Sequence, residues 1–182
     1  MERLLLLLML LGCEVAETPA GQTYGASEQV LAPSNPITQS NLLSGKVVSV
    51  QDGDTLEILI DNRPLRIRLN GIDAPERGQP FGSNAKEALS SRTFGKVVSI
   101  VDHGSDSFDR TLGDVLVDGQ SVNLYLVASG LAWHYSKFSD DQQLAAAEAN
   151  ARANRIGLWS DHRSVAPWDW RKLSKAERDK LR

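Results

Sequence analysis

Between Asp54 and Leu69 the chain carries two largely alternating stretches with a turn between them, and a β-hairpin is the conformation that satisfies this pattern. Leu56, Ile58 and Ile60 alternate with Thr55, Glu57 and Leu59; Asp61-Asn62 are turn formers; Leu65, Ile67 and Leu69 then alternate with Arg66 and Arg68. A tight hairpin sets the start of its first strand beside the end of its second. Asp54 is therefore expected next to the run from Arg68 through Asp73, Ala74, Pro75 and Glu76, at one end of a sheet. Three carboxylates and an arginine share that place. Two carboxylates, a loop carbonyl and waters form an oxygen-only ligand set of the kind that suits calcium, a hard cation.

The flanking sequence supplies more strands and a few helices. Lys46 to Val50 reads as a strand before the hairpin, and Lys96 to Val101 and Thr111 to Val117 read as two after it, the last followed by the strong turn signal Asp118-Gly119. Phe81, Ala85, Ala88 and Leu89 fit one face of a helix beginning around Ser83. A second helix is expected with Ser121 as its cap and Gly130 as its stop, and a third from about Asp140 to Asn154, closed by Gly157. Five short strands with a helix between the third and fourth follow the element order of an OB-fold barrel, so the expected class is α+β, rich in barrel, with about three helices.

Not all 182 residues belong to that barrel. Met1-Glu2-Arg3 precede an apolar run from Leu4 to Leu11, too short to span a bilayer core of about 30 Å but suited to the apolar centre of an export signal, placed here at 1–12. Leu10-Leu11-Gly12-Cys13 resembles a bacterial lipobox, which makes Cys13 the expected lipidation site; the alternative is an ordinary secretory signal with an incidental cysteine. Cys13 is the single cysteine, so no intramolecular disulfide can form. Residues 13–42, rich in Thr, Pro, Ala, Gly, Ser and Gln and without an apolar period, read as a flexible tether. The globular domain is placed at 43–172 and a basic helical tail at 173–182.

Charge separates along the same boundary. Residues 1–42 hold one basic and four acidic residues, which leaves 19 basic and 19 acidic of the totals of 20 and 23 for the remainder. A formally neutral folded part, the domain and basic tail together, argues against a broad basic surface for nucleic acid and for a small local phosphate site.

Several motifs in order resemble the staphylococcal nuclease (thermonuclease) family. They are Asp52-Gly53-Asp54-Thr55; Arg68-Leu69 with Asp73-Ala74-Pro75-Glu76; Asp106-Ser107-Phe108-Asp109-Arg110-Thr111-Leu112; Val122-Asn123-Leu124 with Gly130-Leu131-Ala132; Ala147-Glu148-Ala149 with Gly157-Leu158-Trp159; and Pro167-Trp168-Asp169-Trp170-Arg171. The resemblance spans roughly residues 45–172 and implies an OB-fold nuclease that hydrolyses DNA and RNA with calcium, leaving 3′-phosphate ends. It implies Asp54, Asp73 and the backbone oxygen of Ala74 as metal ligands, Glu76 as general base or water-orienting group, and Arg68 and Arg110 as the groups that grip the phosphate. Phe108, Tyr135 and Phe138 lie where the resemblance suggests a base-stacking wall. Trp133, Trp159, Trp168 and Trp170 are assigned to packing, and His103, His134 and His162 show no zinc spacing.

A departure from the family pattern is Asp109, where glycine is usual. Aspartate enters positive φ more readily than most residues, so the fold is expected to survive, with the Asp109 carboxylate competing for Arg110. The sequence as a whole is read as an exported, lipid-anchored, monomeric calcium-dependent nuclease. The rival readings are a catalytically inactive OB-fold module that binds nucleic acid, and a surface module whose partner is protein.

Overall fold

In a computed structural model describing residues 41–181, the hairpin forms the centre of a closed barrel. The export signal, Cys13 and the tether up to residue 40 lie outside the described residues, as does Arg182 at the end of the basic tail. β1 (Leu42–Val50), β2 (Thr55–Ile60) and β3 (Arg63–Leu69) form an antiparallel meander, with Thr55 opposite Arg68 and Ile60 opposite Arg63. Asp61 and Asn62 both take positive φ, 50° and 62°. Their backbone twist matches that of the strands they join, which is why two-residue hairpins favour such turns.

β4 (Ile72–Asp73) follows β3 after a turn at Asn70-Gly71, and α1 (Gly82–Thr93) comes next. β5 (Val97–Ser105) pairs antiparallel with both β1 and β6 (Thr111–Val117). β6 closes the barrel by pairing parallel with β3, Arg68 opposite Leu112 and Leu69 opposite Gly113. The result is a five-stranded mixed barrel of OB-fold type with several helices, as the element order predicts. The chain continues through β7 (Gln120–Ser121), α2 (Val122–Ala128), β8 (Trp133–His134) and α3 (Gln142–Ala153). A 3-10 turn at Gly157–Ser160, α4 (Pro167–Trp170) and α5 (Lys175–Lys180) complete it.

Local chemistry sets these boundaries. The Ser121 side chain accepts the Leu124 N–H to cap α2, and Asp141 accepts from Gln143 and Leu144 to cap α3. β1 begins at Leu42 rather than Lys46, because β5 offers it partners from Val101 to Val97. Leu42, assigned by composition to the tether, therefore belongs to the barrel. β4, β7, β8 and α4 are too short to leave a periodic signal.

Leu56, Ile58, Ile67, Leu69, Val98, Ile100 and Val115 fill the barrel, and Ala85 and Leu89 of α1 with Leu126 and Val127 of α2 join the same core. Burial of each larger side chain contributes about 1.5–3 kcal/mol. A second cluster, Trp133, Leu158 and Ala166 with Phe81, Trp159 and Trp168 packed against it, secures the C-terminal segment.

Two features of this packing position the mouth of the barrel. Buried Asn123 accepts the Val115 N–H at 3.0 Å and donates to the Asn70 carbonyl at 2.9 Å, tying the turn after β3 to β6 and α2. Gly53 lies where α1 and the loop after β4 meet: an added Cβ would come within 2.6 Å of the Ala85 Cβ and 2.7 Å of the Ala74 Cβ. Gly53→Ala must push these apart and is expected to destabilise the domain by about 1–3 kcal/mol. Urea unfolding monitored by tryptophan fluorescence measures this; an unchanged midpoint would mean that α1 shifts without cost.

Candidate active site

Asp54, at the entry to β2, is held by four neighbours besides Arg68. Its N–H donates to Asp52 Oδ1 (3.1 Å) and its carbonyl accepts the Leu69 N–H (2.8 Å). Its carboxylate accepts the Ala74 N–H at 2.7 Å and the Thr55 hydroxyl at 3.1 Å. The hairpin register thus does what the alternation implied and brings the Asp54 region to the end of β3 and the loop beyond it.

Arg68 binds the cluster from within. Its guanidinium donates to the carbonyls of Leu69 (2.6 Å) and Ile72 (2.8 Å) and to Asp73 Oδ1 (2.9 Å), while Nε stands 3.2 Å from Asp54 Oδ1. A guanidinium has five N–H groups in a rigid fork, and most of these are already directed at protein oxygens. Arg68 therefore frames the two carboxylates.

Asp73, on β4, is 1% exposed. Burial pushes its carboxyl above the usual range, with Arg171 and Arg68 pulling it back. Asp52 is pushed up to about 6, by burial first and then by the charge of Asp54. Glu76 reaches the same rim from a loop braced on Gln79, which accepts the Glu76 N–H at 3.0 Å and donates to the Val165 carbonyl at 2.7 Å.

Arg110 also lines the cleft. Asp109 does take φ 57°, as a glycine replacement must. The carboxylate bound to Arg110, however, is Asp106, which accepts from Nε at 2.8 Å and lies 2.6 Å from Nη2. Burial alone would raise Asp106, but its hydrogen bonds from Arg110 and the Phe108 N–H outweigh that and hold it low. The loop turns at Asp109 so that Asp106, four residues before Arg110, comes back onto the guanidinium.

Asp54, Arg68, Asp73, Ala74, Glu76, Phe108, Arg110, Tyr135 and Phe138 all line one cleft of about 690 Å³. Every site residue picked out in the barrel domain is thereby brought together. Phe108 and Phe138 are exposed, and Phe138 meets Tyr135 edge-on at 4.7 Å. Tyr135 is stacked on Trp168 at 5.0 Å, which fixes its plane. Trp133, Trp159 and Trp168 pack together as expected, and Trp170 is buried.

The sequence reading passed over one side chain. Arg171 donates to Asp73 Oδ2 at 2.6 Å and to Glu76 Oε1 at 2.5 Å. Burial would lower its pKa, but hydrogen bonding to Asp73, the charge of Asp73 and the Glu76 contact raise it well beyond the usual value. It belongs to the motif Pro167-Trp168-Asp169-Trp170-Arg171, where the tryptophans draw attention to packing.

Among the described residues, no three His, Cys, Asp or Glu side chains are preassembled as a metal-ligand group. The donor chemistry nonetheless fits a hard divalent cation. Five carboxylates (Asp52, Asp54, Asp73, Glu76, Asp106) face three guanidiniums (Arg68, Arg110, Arg171) across the cleft, a formal charge of −2, and all the candidate side-chain ligands are oxygens. A guanidinium already bridges Asp73 and Glu76, so a cation is welcome there.

Comparison with known proteins adds an independent line. A family model described as "Staphylococcal nuclease homologue" matches residues 66–161. The chain is 40% identical over 148 residues to "Protein ParB" of Escherichia coli, covering 75% of this chain and 84% of that one. It is 39% identical over 142 residues to "Micrococcal nuclease" of Shigella flexneri (72% and 82% covered) and 40% over 131 residues to an "Uncharacterized endonuclease" of Haemophilus influenzae (71% and 74%).

The chain belongs to the staphylococcal nuclease homologue family. The matched span includes Arg68, Asp73, Glu76 and Arg110; Asp54 lies before it and Arg171 ten residues beyond its end at 161.

Arg68→Leu would leave Asp54 and Asp73 buried without their framing cation. In metal-free protein it is expected to destabilise the fold by about 3 kcal/mol, the scale for breaking a buried pair from one side. Urea unfolding in chelator reads this directly, and a loss under about 0.5 kcal/mol would reduce Arg68 to a surface-type ion pair.

Proposed function

We infer that this chain is a phosphodiester hydrolase, an endonuclease of the staphylococcal nuclease family, and that it works with calcium on DNA or RNA. Family membership supports the nuclease reading. The observation that supports the metal is the surplus of carboxylates in a cleft that must receive an anionic phosphodiester. At a formal −2 the cleft repels its substrate, and one divalent cation removes that excess.

Asp54 and Asp73 would hold the ion, with the Ala74 carbonyl as a further ligand. Bound there, calcium supplies Lewis-acid polarisation of a phosphoryl oxygen. Arg68 keeps the two carboxylates in place through its bonds to Asp73 and to the Leu69 and Ile72 carbonyls. Glu76, at the rim of the cleft, would orient a water and take its proton as the water attacks phosphorus. Arg110, held in aim by Asp106, presents its guanidinium to the charge that builds on the phosphoryl oxygens in the five-coordinate state. Cleavage of the bond to the 5′ oxygen would leave a 3′-phosphate end. Phe108, Tyr135 and Phe138 supply aromatic faces on which any base can stack, consistent with cutting without strict sequence preference. The inactive-module alternative has no use for a base beside two metal-ligand carboxylates.

Asp54→Ala is expected to abolish calcium-dependent cleavage while the domain stays folded. Glu76→Gln should bind calcium much as the wild type does but turn over about a hundredfold more slowly, the scale for loss of a general base. Digestion of single- and double-stranded DNA and of RNA, each with calcium and with chelator, checks both. Full cleavage in chelator would contradict the metal, and full turnover in Glu76→Gln would remove that residue from the chemistry.

Export and anchoring form a separate part of the proposal, supported by the apolar run Leu4 to Leu11 and the lone Cys13. Mass spectrometry of the mature protein is expected to find a lipid-modified Cys13 at the N-terminus, lost in Cys13→Ser. An unmodified N-terminus would leave secretion alone and would not touch the nuclease reading.

A further inference from the structure

Asp73 carries two arginines, and they are held in very different ways. Arg68 is 11% exposed in its side chain and bound to two backbone carbonyls as well as to the carboxylates, so it is built into the barrel mouth. The Arg171 side chain is 45% exposed and its hydrogen bonds go to Asp73 and Glu76. One guanidinium is part of the frame, and the other can leave.

The backbone beneath Arg171 is fixed. Trp170 is buried, Arg178 donates to the carbonyls of both Trp170 and Arg171 at 3.1 Å, and α5, which carries Arg178, is started by a reciprocal Ser174–Glu177 capping box. The Gln79 bond to the Val165 carbonyl ties this C-terminal segment to the loop that bears Glu76. A long flexible side chain on a rigid base, with a forked cationic head lying in the cleft, can change partners without the fold moving.

The oxygens it holds belong to one proposed metal ligand, Asp73, and to the proposed base, Glu76. Asp73 Oδ2 and Glu76 Oε1 each accept a short charged bond from Arg171, and Asp73 Oδ1 is shared with Arg68. A divalent ion arriving at Asp73 adds two positive charges next to the guanidinium and repels it. The anion that such an ion recruits lies within the same cleft, and a guanidinium fork matches a phosphate as well as it matches carboxylates.

Building on the nuclease reading above, we propose that Arg171 is an exchangeable substrate-binding arginine: it neutralises Asp73 and Glu76 in the metal-free site, yields Asp73 to the metal and Glu76 to the attacking water, and then binds the phosphodiester. The exchange makes metal and substrate binding interdependent, because release of Arg171 by one prepares it for the other. It also keeps the Glu76 carboxylate hydrogen-bonded to a guanidinium until the metal is in place.

The test is calorimetric and kinetic. Calcium is titrated into substrate-free wild type, Arg171→Met and Lys172→Met, the last removing an adjacent charge that pairs with Asp169. Arg171→Met is expected to bind calcium on the order of tenfold more tightly, since a charge-assisted competitor is gone, while Lys172→Met stays near wild type. With calcium saturating, Arg171→Met should raise KM for DNA roughly tenfold with kcat changed far less, as for loss of a binding contact shared by ground and transition states. Arg171→Lys should recover part of the KM. In the wild type, the Arg171 side-chain NH resonance should shift on calcium addition and again with a non-hydrolysable phosphorothioate oligonucleotide, a readout that needs no variant to fold. Unchanged calcium affinity, equal tightening in Lys172→Met, or an unchanged KM would each overturn the exchange. If Asp73→Ala loses calcium while Arg171→Met behaves as wild type, the exchange falls and the nuclease reading stands; a wild type that binds no calcium removes both.

Discussion

The guanidinium of Arg68 is the point on which the site and much of the barrel mouth depend. It leaves β3 beside Thr55 of β2, reaches both Asp54 and Asp73, and satisfies the Leu69 and Ile72 carbonyls where the chain turns into β4. Two acidic groups within a few ångströms cannot stay buried and ionised without such a partner, because desolvation would drive protons onto them. Asp52 shows the effect: burial, and then the charge of Asp54, push it up to about 6. The barrel supplies the geometry for this arrangement, through the hairpin register on one side and the parallel closure of β3 on β6 on the other.

A domain without net charge can act on a polyanion when its charge is organised in this local way. On the function proposed here no basic surface is needed, since attraction for phosphate would arise where a cation offsets the carboxylates and where Arg110 and Arg171 lie. Such attraction is short-ranged at physiological salt, where the screening length is about 8 Å. It favours gripping one phosphate at a time over long-range capture of duplex.

The fold was legible to the extent that it is written in local pattern. Alternation exposed the hairpin, Asp61-Asn62 exposed its turn, and Ser121 and Gly130 bounded α2, because each of these is decided by neighbours in sequence. Asp54, Asp73, Glu76 and Arg110 could be named because they stand in ordered motifs. What escaped depends on tertiary contact. Two-residue strands such as β4 and β8 exist only because each meets the other. Arg171 reaches Asp73 across 98 positions of sequence, from a segment whose tryptophans advertise packing. The bond from Arg110 to Asp106 was equally hidden, since a turn at positive φ brings Asp106 back to the guanidinium while Asp109 is the neighbour in sequence.

The central claim is that one carboxylate cluster, framed by Arg68, is the metal site. A crystal structure of the calcium-loaded protein, with the ion located by its anomalous scattering, tests this most directly. The ion is predicted at about 2.4 Å from oxygens of Asp54 and Asp73, with Arg68 still bridging the two residues. An ion bound elsewhere, or a cluster that at saturating calcium keeps its metal-free geometry with no ion among its oxygens, would contradict the claim.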